Sequence, residues 1–298
     1  MSARAGGKEF VGLVPPTEKR PVSSFHSPFG GINILRDSFE FTTWMCLAAL
    51  VQGLLLLGAG RLALLPAAAI FLVKVGDVVL QTTGIMRNRY LDGVIFKKTS
   101  VVFPSEEGKF GNKPSNQDVV VFLIGTRYNH PLGLLAPYAF KIAGYFIQMV
   151  KDLEDNADEF GFLGATSWQN TSAASSNELL VVCYFKNVDG LHKFAHSKYH
   201  LPNWNWWNKT VKEMPHITIF HETYHVPAGN WESIHVNSQI AGLGSTVVKV
   251  AEEMTGKEVY THPIVDASKG VLRTSAGRMA RSDAREHEGK LDVDPYDV

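Results

Sequence analysis

The chain has 298 residues with 29 basic and 29 acidic side chains, so it carries no net charge and lacks the electrostatic footprint of a nucleic-acid binder. With 45% apolar residues it can bury a substantial core, in one large domain or two small ones. Two cysteines, Cys46 in an apolar run and Cys183 in an expected strand, support neither a disulfide framework nor a thiolate metal site.

Residues 1–40 mix Gly, Pro, Ser and scattered charges without an apolar period and are expected to form a mobile arm. From Phe41 to Gly60 no residue is charged, and at about 1.5 Å per residue this run would span a hydrocarbon layer of roughly 30 Å. A second uncharged run, "LALLPAAAIFLV", follows Arg61; Pro66 and Lys74 weaken it, so residues 41–85 read as one membrane span or a helical hairpin. The region starts too late for a cleaved signal peptide, and basic residues flank it on both sides, among them Arg36, Arg87 and Arg89. The positive-inside rule then puts both ends, and the domain that follows, on the cytosolic side of a membrane. The alternative is a buried helical layer in a soluble domain. Sequons at Asn170 and Asn208 would be glycosylated only in a lumenal domain, which makes them a topology test.

Residues 86–117 are expected as a linker, ending in the polar stretch "PSEEGKFGNKPSNQD". A compact domain over residues 118–244 follows. "DVVVFLIGTRYNH" is dense in Val, Ile and Phe and suits a central strand. From Leu132 to Leu153, Tyr138, Ile142, Tyr145, Met149 and Leu153 recur at helical steps. "GFLGATSWQNTS" and "NELLVVCYF" read as a hairpin turning over 171–177. A helix begins near Val188 and runs toward Leu201, breaks at Pro202, and resumes as "PNWNWWNKTVKEM". "HITIFHETYHV" closes the unit as a strand, and "NWESIHVN" offers another. The order strand, helix, strand, strand, helix, strand is the split βαβ of an α+β, ferredoxin-like domain. Its helices cover one face of the sheet, so the other face calls for a partner and a homodimer is expected. Residues 245–298 are expected to be an irregular extension, with a charged, disordered tail from Met279.

The pentapeptide "HETYH" (221–225) matches the letters of the zinc-peptidase motif H-E-x-x-H. That motif works on a helix, where residues four apart converge on one ion. Here β-branched and aromatic residues precede it and a Pro-Gly turn follows, so the stretch is a strand. At about 3.3 Å per residue, His221 and His225 then have α-carbons about 13 Å apart, too far for one zinc. No metal site is expected. His192, His196 and His200 have the same spacing on a predicted helix, where ligation is geometrically open, although no acidic residue or cysteine accompanies them. His200 is the strongest candidate for an acid, base or ligand, because it sits at the helix end beside Trp204 and Trp207. Helical spacing also sets Asn203 above Trp207 and turns Trp206 elsewhere. Together they suggest a flat apolar pocket for a conjugated substrate, with Arg127, Asn129 and Trp168 as further lining; the bland reading makes the tryptophans core residues. "GLGSTV" (242–247) lacks the third glycine of a dinucleotide fingerprint, and no P-loop or nucleophile elbow occurs.

The helix "LHKFAHSKYHLPNWNWWNK", the block "IFHETYHVPAGNWESIHVN", the following "GLGS" and the later "SAGRMARSD" together resemble the antibiotic biosynthesis monooxygenase superfamily of dimeric α/β barrels, and within it the fumagillin-pathway monooxygenase-like proteins. The resemblance runs from about Asp118 to Arg281. It implies oxidation of a hydrophobic polyketide- or terpenoid-like substrate by O2 in secondary metabolism, without metal or flavin. It also implies Asn203 and Trp207 as orienting groups and His200 as a polar contact, with His196, His221 and Tyr224 near the substrate. Haem is the alternative cofactor, since other branches use a helix histidine, and a non-catalytic dimeric binding module is the alternative from a different class.

Overall fold

The computed structural model describes residues 8–27, 30–171, 178–252 and 255–282; the hairpin turn expected within 171–177 and most of the charged tail lie outside them. Helix α1 (Gly30–Asp37) leads into α2 (Phe41–Ala59) and α3 (Leu64–Thr82), which meet at a turn of 3-10 helix, Gly60–Ala63. Gly60 makes that turn at φ 59, a value costly for any residue with a side chain. Across it the Gln52 amide donates to the Ala63 carbonyl at 3.0 Å. The region is long and apolar enough to cross a membrane, and only 6% of its most apolar window is buried. Leu57, for example, is 87% exposed.

Strand β1 (Ile95–Val101) lies inside the stretch expected to be a linker. The domain sheet follows, with β2 (Val119–Tyr128), then α4 (Ala139–Asp155) and the short α5 (Ala157–Phe160), then β3 (Phe162–Gln169) and β4 (Glu178–Phe185). After these come α6 (Val188–Ala195), α7 (Leu201–Thr210) and β5 (Ile217–Val226). The sheet order is β3-β4-β2-β5, antiparallel throughout, which is the ferredoxin-like arrangement expected from the order of elements. Its β-branched central strand has neighbours on both sides, so Val119 and Val120, which point to opposite faces, are both buried. On one face Val120, Val181, Cys183 and Phe185 pack against Val150 and Leu153 of α4 and Leu191 and Phe194 of α6.

Two helix boundaries differ from expectation. Helix α4 starts at Ala139 rather than Leu132, because Pro137 precedes Tyr138 at φ 65, and residues 133–135 form only a 3-10 turn. Helix α6 ends at Ala195 rather than near Leu201, and residues 196–200 are turns, so His192, His196 and His200 do not share one helical face.

Beyond the domain the chain is more regular than expected. β6 (His235–Ser238), β7 (Val248–Ala251), β8 (Glu258–Thr261), β9 (Ile264–Asp266) and α8 (Ser275–Arg278) occupy the stretch that includes the supposed irregular extension. β1 pairs with β6 on one side and β9 on the other, while β7 and β8 form a ribbon. The arm is placed as well: Leu13 N–H donates to Ile264 (2.9 Å), and Thr17 and Tyr260 exchange two backbone bonds of 2.8 Å, so these residues satisfy strand edges. Val101, Phe103, Val248, Val250 and Ile264 from this outer layer pack with Val119, Val121, Leu163 and Tyr184. The outer layer therefore covers one half of the sheet face that the helices leave open. Arg278, 6% exposed, fastens it by pairing with Glu232 and donating to the Leu272 (2.9 Å) and Arg273 (3.1 Å) carbonyls. Gly277 beside it admits no side chain, since a Cβ would stand 1.8 Å from the Val271 carbonyl oxygen.

Candidate active site

Strand β5 pairs with β2 along its whole length, with His221 opposite Ile124 and Tyr224 opposite Val121. The pentapeptide is thus extended. Its side chains alternate: His221, Thr223 and His225 lie on the helix side, and Glu222 and Tyr224 on the other. His225 bonds Asp118 through Nε2 at 2.8 Å. Among the described residues no three His, Cys, Asp or Glu side chains are grouped so as to hold a metal ion.

Between β2 and β5 below and α4, α6 and α7 above lies a cleft of about 520 Å³. Each wall follows from a local pattern. Helix α7 opens with Pro202 in its first turn, where its missing N–H costs nothing, and then presents Asn203, Trp204 and Trp207. Helix α4 turns Ile142, Tyr145, Phe146 and Met149 inward at steps of three and four. The sheet supplies Phe122, Ile124, Ile219, His221 and Thr223. Polar atoms are few and aromatic rings many: the His221 ring lies 5.6 Å from Phe122, and Trp206 stands edge-on to Tyr145 at 5.0 Å.

His200 has the most defined geometry in the cleft. The turn after Ala195 brings its Nδ1 to 2.9 Å from the Ala195 carbonyl oxygen. A carbonyl only accepts, so Nδ1 carries the proton and Nε2 keeps a lone pair. Burial lowers the pKa of the ring below the usual imidazole value; the Ala195 bond opposes this and neighbouring His196 adds to it. The neutral, proton-accepting form therefore prevails at neutral pH. His196 Nδ1 is held at 2.8 Å by the His192 carbonyl, and the Asn203 amide lies 3.4 Å from the Tyr199 carbonyl, leaving its oxygen as an acceptor.

His196, His200, Asn203, Trp204, Trp207 and His221 thus share one cleft, as the sequence suggested. Four other candidates stand elsewhere. Arg127 lies on the opposite sheet face and pairs with Glu178 at 3.2 Å. Asn129 is exposed beyond the strand end, its N–H donated to His216. Trp168 and Tyr224 project from the opposite face, at 57% and 50% exposure. Alternation in the strands is the reason for all but Asn129. Trp206 is not turned away: it lines the cleft, with Lys141 over its ring at 4.4 Å. Phe122, Met149 and Thr223 were missed; two-residue steps from His221 and the α4 stripe would have indicated Thr223 and Met149.

Comparison with known proteins finds a family model and a relative. Residues 119–243 match the family model described as Monooxygenase af470-like. The protein named Monooxygenase af470 from Aspergillus fumigatus (strain ATCC MYA-4609 / CBS 101355 / FGSC A1100 / Af293) is 32% identical over 278 residues, covering 91% of this chain and 98% of that protein. Among solved structures, SnoaB, a cofactor-independent oxygenase from Streptomyces nogalater, is 13% identical, with 36% of this chain and 91% of that chain covered at a TM-score of 0.25. An aldoxime dehydratase in complex with butyraldoxime is also 13% identical, with coverage of 42% and 36% and a TM-score of 0.36.

Proposed function

We propose, for a chain that belongs to the monooxygenase af470-like family and is an oxidoreductase, that His200 starts the reaction by taking a proton from a hydrophobic, electron-rich substrate held among the aromatic rings of the cleft. The observation that carries this reading is the His200 tautomer: Nδ1 is committed to Ala195, and Nε2 is left as the base. A methylene flanked by conjugated groups gives its proton to Nε2, and the resulting carbanion passes electrons to O2. A hydroperoxide forms at that carbon after reprotonation. Loss of water then leaves a carbonyl, so one methylene and one O2 become one carbonyl and one water, with the substrate as the sole reductant. In this reading Asn203 and His221, which line the cleft, orient the carbanion's oxygen substituents, and Trp207 stacks on its conjugated part.

No flavin or metal is needed for this balance. Haem is the alternative reading: His200 would hold the iron, and Lys141, over the Trp206 ring, would offer a cation for a propionate. We assign α2 and α3 to a membrane, with the domain cytosolic, because most of their apolar side chains are exposed. The bilayer would concentrate a polyketide- or terpenoid-like substrate near the cleft. A second copy of the chain would cover Trp168, Leu180 and Phe220 on the open half of the sheet.

The test is turnover under isotopically labelled O2 with the full chain purified free of flavin and metal. One heavy oxygen atom should appear in each product molecule, with no Soret absorption from the protein. Incorporation that requires added haem or flavin would exclude the substrate-reduced mechanism.

A further inference from the structure

A second cleft, of about 570 Å³, lies on the other side of α4. It is walled by Phe25 and Ile34 from the segment that leads into α2, by Phe140 and Ile147 of α4, and by the helix-side residues of β2, β3 and β4. Ile124 and Phe146 line both this cleft and the aromatic one, so the two clefts adjoin at these side chains. Most of the lining is apolar, which makes two polar atoms conspicuous. Thr126 Oγ1 and Gln169 Nε2 are buried and have no hydrogen-bond partner among the described residues, and Thr126 as a whole is 5% exposed. Both residues pair with Leu179, from its two sides, and so stand in one row across the sheet with their backbones about 10 Å apart. Buried polar groups left without partners cost stability, and their retention in an apolar cleft is explained by a ligand that satisfies them. Tyr128, 2% exposed, lines the same cleft; burial pushes its phenol up to about 12, so it remains a neutral donor.

We propose that this second cleft binds the oxygen-bearing end of an apolar substrate, seating a ketone, aldehyde or alcohol oxygen over Leu179 within reach of Thr126 Oγ1 and Gln169 Nε2. The remainder of the molecule passes Phe146 and Ile124 into the aromatic cleft. The substrate class is thus a long, mostly hydrocarbon molecule oxygenated at the end remote from the carbon to be oxidised. An earlier oxidation, hydration or acyl-chain release must have supplied that oxygen. The proposal rests on the aromatic cleft being where oxidation occurs, but the binding site can be measured without turnover.

The test uses the full chain in phosphatidylcholine nanodiscs and a matched pair of probes, the sesquiterpene ketone nootkatone and its parent hydrocarbon valencene, each followed by equilibrium dialysis. The native chain should prefer the ketone. Thr126→Val combined with Gln169→Leu, which keeps shape and removes both polar groups, should weaken nootkatone binding about tenfold and leave valencene within about twofold. His200→Leu, in the aromatic cleft, should leave the ketone preference intact. Equal affinities in the native chain would mean that ordered water alone occupies the polar pair, and would overturn the proposal. So would a preference that survives the double substitution, or an equal fall for both probes. If labelled oxygen fails to enter product while the preference still depends on Thr126 and Gln169, the second site stands and the assignment of oxidation to His200 falls. If incorporation succeeds and the preference is absent, the reverse holds.

Discussion

The two faces of the four-stranded sheet are made from alternate residues of the same strands, yet they have become different kinds of surface. The helix side carries His221 and Thr223 under α7, with His200, Asn203 and three tryptophans closing over them. The opposite side carries Glu222 and Tyr224 from the same pentapeptide, together with Trp168, Leu180 and Phe220, and its other half is filled by the outer strand layer. A motif read as consecutive letters is therefore divided in space, with chemistry on one side and packing on the other. Gly125 shows how far the second side is given to packing: the Phe220 ring lies so close above it that a Cβ there would meet the ring at 2.2 Å. Removing a group from the helix side should cost turnover, and removing one from the open side should cost association.

The sharpest break between the faces should come from His200→Ala. General-base catalysis contributes about 10²- to 10⁴-fold, so kcat should fall by at least about 100-fold while the protein stays folded. Added imidazole should restore part of the rate, which a merely structural role would not allow. The pH profile of the native enzyme sharpens the same point. Burial lowers the His200 pKa, and the neutral ring is the active form, so kcat should be flat near neutrality and fall only as pH drops below about 6.5. An acid limb above that value would mean that another group is the base.

Much of the site was legible because it is local. His200, Asn203, Trp204 and Trp207 lie within one helix and its cap, and the strand identity of 217–226 follows from its β-branched and aromatic run. Arg127, Trp168 and Tyr224 stand on the other face because side chains alternate along a strand, so proximity in sequence to cleft residues does not fix the face. The end of α6 at Ala195 was not legible, since no Pro or Gly marks it; the chain turns where His200 reaches back to the Ala195 carbonyl. Strands β1 and β9 escaped notice for a different reason. Thr99 pairs with His235 and Asp266, far along the chain, so their stability comes from contacts that no local pattern announces. Trp231 and Glu232 hold the outer layer: the indole donates to the Gln117 carbonyl at 2.7 Å, and the carboxylate holds Arg278.

The open face makes the second comparison. Phe220 is 41% exposed and Trp168 is 57% exposed, with Leu180 and Gly125 between them in one cross-strand row. An apolar row of this kind on an antiparallel sheet calls for cover. Replacing both aromatic residues, Phe220→Ser with Trp168→Ser, should raise the dimer dissociation constant by at least about tenfold, because large aromatic side chains dominate interface energies. Light scattering across a concentration series would measure it. Turnover per folded protomer should stay within about threefold of the native enzyme. A native chain that is monomeric at all concentrations, or a double variant as dimeric as the native, would remove the second copy from the picture.

The smallest effect, and the most discriminating, belongs to Tyr224→Phe. Family resemblance puts Tyr224 beside the substrate, whereas the register puts it opposite Val121 on the far face, with its hydroxyl bonded to Glu222 rather than turned toward the cleft. The hydroxyl is exposed, so its removal loses little hydrogen-bond energy that water does not replace. Turnover should therefore change by less than about twofold, against the 100-fold or larger loss expected at His200, although His221 is only three residues away on the same strand. A large fall in kcat would require Tyr224 to act through the dimer, reaching the partner's cleft across the open face. Mixing Tyr224→Phe protomers with His200→Ala protomers would then distinguish that case. Restored activity in the mixture would show that the two residues work from different chains, and no restoration would show that they work within one chain.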